Sequence, residues 1–164
     1  VNAASKLLHD KLLTPIRHQL MQGTSPHLLA ASCTLGVALG IFPLMGTTTL
    51  LCLIFGIALR LNQIAIQAVN YIVYPVHLAC IPLFIAMGAR ITGSEPVHIS
   101  PKEVAGQFFT DIPGFLHKYG MIGLHAVFAW AIVIPFIAAA VYFVCLAAFR
   151  RWETIAAQKK TGQA

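Results

Sequence analysis

The sequence predicts an all-α membrane protein: a helical hairpin broken at Pro43 to Gly46, two further membrane helices, and interfacial amphipathic helices. Three observations predict it. Hydrophobic residues make up 58% of the 164 residues and charged residues 10%, and the mean hydropathy of +0.78 lies outside the range of water-soluble domains. The eleven Lys and Arg stand at the ends and between apolar blocks, as they do where charge placement sets topology. Third, the apolar run over residues 36–49 is interrupted by Gly40, Pro43 and Gly46. Lipid forbids such an interruption unless the freed N–H and C=O groups are bonded within the protein or reach a polar cavity.

Residues 1–23 read as an amphipathic interfacial segment. Leu7, Leu8, Leu12, Ile16 and Leu20 recur at helical spacing opposite Lys6, His9, Asp10 and Arg17, a pattern suited either to a membrane surface or to the protein's own face. No uninterrupted h-region of a secretory signal is read there. The next unit, residues 24–93, contains the hairpin (27–60) and a kinked span (64–91). Thr24-Ser25-Pro26 gives a helix start, with Ser25 as N-cap and Pro26 at the first helical position. The limb that follows, Leu28 to Phe42, covers only about 22 Å against about 30 Å of hydrocarbon. The second limb, Thr47 to Leu59, is shorter still, so two inclined or half-length helices meeting at a buried tip are expected. Gly36 and Gly40 share one face of the first limb and Gly56 lies on the second. These are the expected helix-packing positions, within the hairpin or against a second copy in a homo-oligomer.

Residues 64–91 are long enough to cross with kinks at Pro75 and Pro82. Gln67, Asn70, Tyr71 and Tyr74 fall on one helical face by the i, i+3, i+4 rule, with His77 one turn on. A polar stripe at membrane depth faces protein or water. Residues 94–120 are read as a polar connection with a short interfacial helix starting near Ser100-Pro101. Residues 121–150 form the C-terminal transmembrane helix, with Pro135 inside it, and residues 151–164 a disordered basic tail. The hairpin returning to its own side leaves eight Lys/Arg with the two ends and Arg60, against Arg90, Lys102 and Lys118 on the other. That count predicts cytoplasmic N- and C-termini.

The stretch from Ser25-Pro26 through Gly36, Gly40, Pro43, Gly46, Thr47-Thr48 and Arg60-Leu61-Asn62 to Asn70 resembles the bacterial family called domain of unknown function 2062. The likeness covers roughly residues 20 to 93. The family pattern continues with Asn-Pro, whereas Tyr71 follows Asn70 here. The resemblance implies a small multi-pass bacterial inner-membrane protein, with some members attached to or encoded beside envelope glycosyltransferases. It brings no catalytic residue with it.

No enzyme is expected, and no cofactor or metal. The acidic residues Asp10, Glu95, Glu103, Asp111 and Glu153 all lie outside the apolar segments, and the seven histidines show no metal-binding spacing. Cys33, Cys52, Cys80 and Cys145 form no Cys-x-x-Cys pair and read as small buried side chains. The basic ends lack the aromatic interleaving of a nucleic-acid surface, so membrane lipids are the expected counter-charge and nucleic acid is not. The functional expectation is a membrane-embedded polar cavity that binds or moves an anionic lipid-like or small solute. It is lined by Pro43, Gly46, Thr47, Thr48, Gln67, Asn70, Tyr74 and His77, with Arg60 recruiting the head group. The other expectation is a non-catalytic accessory or scaffold subunit for an envelope glycosyltransferase or a similar membrane enzyme.

Overall fold

A computed structural model describes residues 25–94 and 110–161. Among them are five helices and no strand: α1 Pro26–Gly40, α2 Thr48–Ala58, α3 Gln63–Ile72, α4 Tyr74–Thr92 and α5 Ile112–Thr161. The amphipathic segment 1–23 and the interfacial helix expected near residue 100 lie outside the described residues.

Local chemistry sets most of the boundaries. Ser25 caps α1, its Oγ accepting from the Leu28 N–H at 3.3 Å, and Pro26 occupies the first turn. Asn62 caps α3 in the same way, its Oδ1 accepting from the Ala65 N–H at 3.1 Å. The backbone N–H of Asn62 donates to Ser32 Oγ at 2.9 Å, and that hydroxyl donates to the Leu28 carbonyl at 2.7 Å. Ser32 is fully buried, so both of its hydrogen-bonding capacities are met inside the protein, as burial requires. The expected span 64–91 is two helices meeting at Val73, because Pro75 lacks an N–H for the continuing ladder. Pro82, by contrast, is carried inside α4.

The long helix α5 is the spine. It runs antiparallel to α1, since His27 reaches Tyr142 and Arg150 while the Ala38 carbonyl reaches Trp130. It also packs along α4, and α3 lies against both limbs of the hairpin. Two apolar clusters result, one of Ile41, Phe84, Ala126 and Ala129, the other of Leu39, Cys52 and Ile66. Trp130 packs on both and joins them. Two expected boundaries move: α5 begins inside the supposed polar connection and continues through the supposed disordered tail to Thr161. Pro113 falls in the first turn of α5, where its missing N–H is tolerated, residues 150–161 contain neither Gly nor Pro, and Arg150 and Arg151 are good helix formers.

Among the described residues, helices α4 and α5 supply two stretches long and apolar enough to cross a membrane, Tyr74–Thr92 and Tyr119–Ile155. Only 17% and 6% of their apolar windows are buried in the protein, which argues against core helices of a soluble fold. Phe136, Ile72 and Val144 are 75%, 74% and 70% exposed. An apolar exterior of this extent suits lipid better than water.

Candidate functional site

The break between α1 and α2 is the structural singularity of the chain. α1 ends at Gly40, and the Ile41 and Phe42 N–H groups turn back onto the Val37 and Leu39 carbonyls at 3.1 and 3.2 Å. The Ala38 carbonyl, which would otherwise wait for a donor in this last turn, accepts from Trp130 Nε1 at 3.1 Å. The Trp130 ring meets Phe42 edge-on, with centroids 4.9 Å apart. Pro43 is buried, and the chain then turns through Leu44, Met45 and Gly46. Gly46 has φ 81°, and the Thr47 N–H and Oγ1 both donate to the Leu44 carbonyl, at 3.5 and 2.8 Å. Glycine at the third position of such a turn carries the positive φ without a Cβ clash.

Committing the Thr47 hydroxyl to Leu44 leaves α2 without a side-chain cap. The first helical bond runs from the Leu51 N–H to the Thr47 carbonyl at 2.9 Å. Helix geometry therefore leaves the N–H groups of Thr48, Thr49 and Leu50 pointing out of the helix start without an intrahelical acceptor. Met45 and Leu50, 62% and 58% exposed, flank this end. An electropositive helix terminus thus opens among apolar side chains.

α3 braces the same end of α2. Gln67 Nε2 donates to the Thr49 carbonyl at 3.2 Å, and Asn70 Nδ2 donates to Thr49 Oγ1 and Gln67 Oε1 at 3.4 and 3.5 Å. One turn nearer the far end of α2, Gln63 Nε2 donates to the Leu53 carbonyl at 3.1 Å. Polar side chains bonding between helices are a known adhesive at membrane depth. His77 is 1% exposed, and neither ring nitrogen makes a hydrogen bond. The ring meets Tyr74 edge-on at 5.8 Å, and the Phe42 backbone approaches it without reaching hydrogen-bonding geometry.

The expected site residues therefore divide. Gly46, Thr47 and Thr48 form the turn and the start of α2, with Pro43 just before them, and Gln67 and Asn70 meet that helix start through Thr49. Tyr71 and Tyr74 do not share the Asn70 contacts: they are 65% and 47% exposed, Tyr71 turning outward one residue after Asn70 within α3 and Tyr74 belonging to α4. Arg60 is remote from the break. It is exposed in the α2–α3 turn with φ 53°, at the opposite end of an α2 about 16 Å long. The three packing glycines do admit a close neighbour, and that neighbour is α3. A Cβ on Gly36 would lie 2.7 Å from the Ile66 carbonyl oxygen, one on Gly40 2.5 Å from Val73 Cγ2, and one on Gly56 against the Gln63 side chain.

The tip, expected to be buried, is exposed beyond Pro43. Leu44 Cδ2 lies 3.3 Å from where a Gly123 Cβ would stand, which is 27 residues, roughly 40 Å along the helix, from Arg150. Leu44, Met45 and Gly46 are exposed. Sequence reasoning missed Trp130 as the donor to the end of α1, since nothing local links residues 92 positions apart.

The model of the family described as "Uncharacterized protein conserved in bacteria (DUF2062)" matches residues 9–158. That match extends well beyond the 20–93 stretch carrying the motif likeness. No curated protein and no solved structure matches the chain.

Proposed function

The chain belongs to this bacterial family, and from that premise we propose that it is a multi-pass inner-membrane protein that binds an anionic head group or small organic anion at the start of α2. The observation that carries the reading is the uncapped end of α2, whose free N–H groups open among exposed apolar residues beside an α3 amide brace. At a membrane interface such N–H groups meet either water or an anion. A phosphate or carboxylate oxygen is the complementary acceptor, and the helix dipole favours its charge. The unpartnered, buried His77 near the same break adds polarity that packing alone does not need.

In this reading both termini are cytoplasmic, the hairpin enters from their side, and its tip approaches the opposite head-group layer. The ligand class is an alkyl phosphate or fatty acid anion, held by the chain's backbone amides and not by a cationic side chain. Gly36, Gly40 and Gly56 are occupied by α3, so a partner enzyme docking through them is not part of the proposal.

Trp130 provides the test because its ring rests on Phe42 at the break. In the Trp152→Phe background it is the single remaining tryptophan. Titration of dodecyl phosphate into this protein in maltoside micelles is expected to give a saturable shift in Trp130 emission. Leu50→Glu, which places a carboxylate in the first turn of α2, is expected to abolish the shift by supplying the anion from within the chain. An equal response in Leu50→Glu, or a response that rises linearly without saturation, overturns the proposal.

A further inference from the structure

At the opposite end of the α1–α5 seam three polar side chains converge. Arg150 Nη2 bonds His27 Nε2 at 2.9 Å, and His27 Nδ1 bonds the Tyr142 hydroxyl at 2.9 Å. A guanidinium can only donate, so Nε2 is the acceptor and the ring carries its proton on Nδ1. That proton is then donated to the Tyr142 oxygen, which leaves the phenolic hydrogen directed elsewhere. Both ends of the relay are consequently donors: the remaining N–H groups of Arg150 at one end and the Tyr142 O–H at the other. Arg150 makes no carboxylate pair among the described residues, although a guanidinium at an interface ordinarily finds one or a phosphate. The cluster lies next to Arg151 and Trp152, a pairing of cation and aromatic that marks a head-group layer.

We propose that the His27–Tyr142–Arg150 cluster binds the phosphate of an anionic phospholipid head group in the leaflet facing the chain termini. The imidazole, from α1, works as a spacer of fixed tautomer between two α5 side chains: it holds the guanidinium at one ring nitrogen and the phenol at the other, and both donate to one phosphate. Packing alone does not call for this arrangement, since a donor-only pair around a neutral ring leaves hydrogen-bonding capacity unused on the protein side. The site is separate from the start of α2 and does not depend on the reading given for it.

Native mass spectrometry of the full chain, released from nanodiscs of equal phosphatidylglycerol and phosphatidylcholine, tests the assignment. Both lipids carry the phosphate, but the choline ammonium of phosphatidylcholine is repelled by Arg150 and Arg151, so wild-type protein is expected to retain phosphatidylglycerol over phosphatidylcholine by roughly tenfold, the scale of about 1.4 kcal/mol. Arg150→Gln is expected to lose that preference and Tyr142→Phe, which keeps the ring in place, to reduce it. Arg90→Gln, at the other end of the bundle, is expected to keep it. Equal retention of the two lipids by wild type, or an unchanged preference in both Arg150→Gln and Tyr142→Phe, overturns the proposal. Displacement of the lipid by millimolar glycerol 3-phosphate overturns the lipid assignment in favour of a soluble phosphate ester.

Discussion

Replacing Gly88 by Val is expected to leave little or no folded protein. Gly88 sits where α4 crosses α5, and a Cβ there would land on the His125 carbonyl group and 3.0 Å from the Ala126 nitrogen. These neighbours are backbone in the middle of the longest helix, so nothing flexible can move aside. Ordinary overpacking costs about 1–3 kcal/mol, and separating two main chains exceeds that range, enough to unfold a protein of marginal stability. Gly120→Val is the matching control, because no atom lies within 4 Å of that position. Thermal unfolding of the two variants in detergent, with size-exclusion profiles, checks the pair. Gly88→Val is expected to aggregate or lose its transition, and Gly120→Val to unfold like the wild type.

Trp130→Ala is expected to cost about 3 kcal/mol, the low end of the range for deleting a large aromatic, because the ring is partly buried. The position carries more than volume. Its indole packs on both apolar clusters, meets Phe42 edge-on, and supplies the donor for the Ala38 carbonyl at the end of α1. Trp130→Phe keeps most of the packing and removes the hydrogen bond alone, so a loss of about 1 kcal/mol is expected for that variant. Equal losses in the two variants, read from denaturant unfolding in micelles, would show that the N–H bond and not the packing dominates.

These two positions mark where the sequence stops being legible. The capping residue Ser25 and the break at Pro43 and Gly46 are local chemistry, and the structure places them as the sequence pattern predicts. The Asn62 cap and the full split before Pro75 are local too, but the sequence pattern predicts only the end of the hairpin at the one and a kink at the other. Gly36 and Gly40 are readable as packing positions because four-residue spacing puts both on one face. What that face meets is not readable, and α3 rather than the returning limb fills it. Gly88 stands alone in its apolar run and gives no such spacing. Its role depends on α5 arriving from nearly 40 residues later. The polar stripe shows the same limit: a single 3.6-residue period extended over 67–74 puts Tyr71 and Tyr74 with Asn70, whereas the helix ends before Tyr74, Tyr71 faces outward, and only Gln67 and Asn70 turn inward. The His27–Tyr142–Arg150 cluster joins residues more than a hundred positions apart, beyond any local pattern.

The central claim is that the hairpin enters from the side of the termini and brings its tip to the opposite head-group layer. Single cysteines at Met45, Leu50, Arg60 and Phe136, in a background lacking Cys33, Cys52, Cys80 and Cys145, put it to the most direct test. An impermeant maleimide is applied in turn to intact cells with permeabilised outer membranes and to inverted inner-membrane vesicles. The account predicts labelling of the Met45 and Leu50 positions from the periplasmic side, of the Arg60 position from the cytoplasmic side, and of the Phe136 position from neither. Labelling of positions 45 and 60 from the same side, or protection of positions 45 and 50 equal to that at 136, would contradict it.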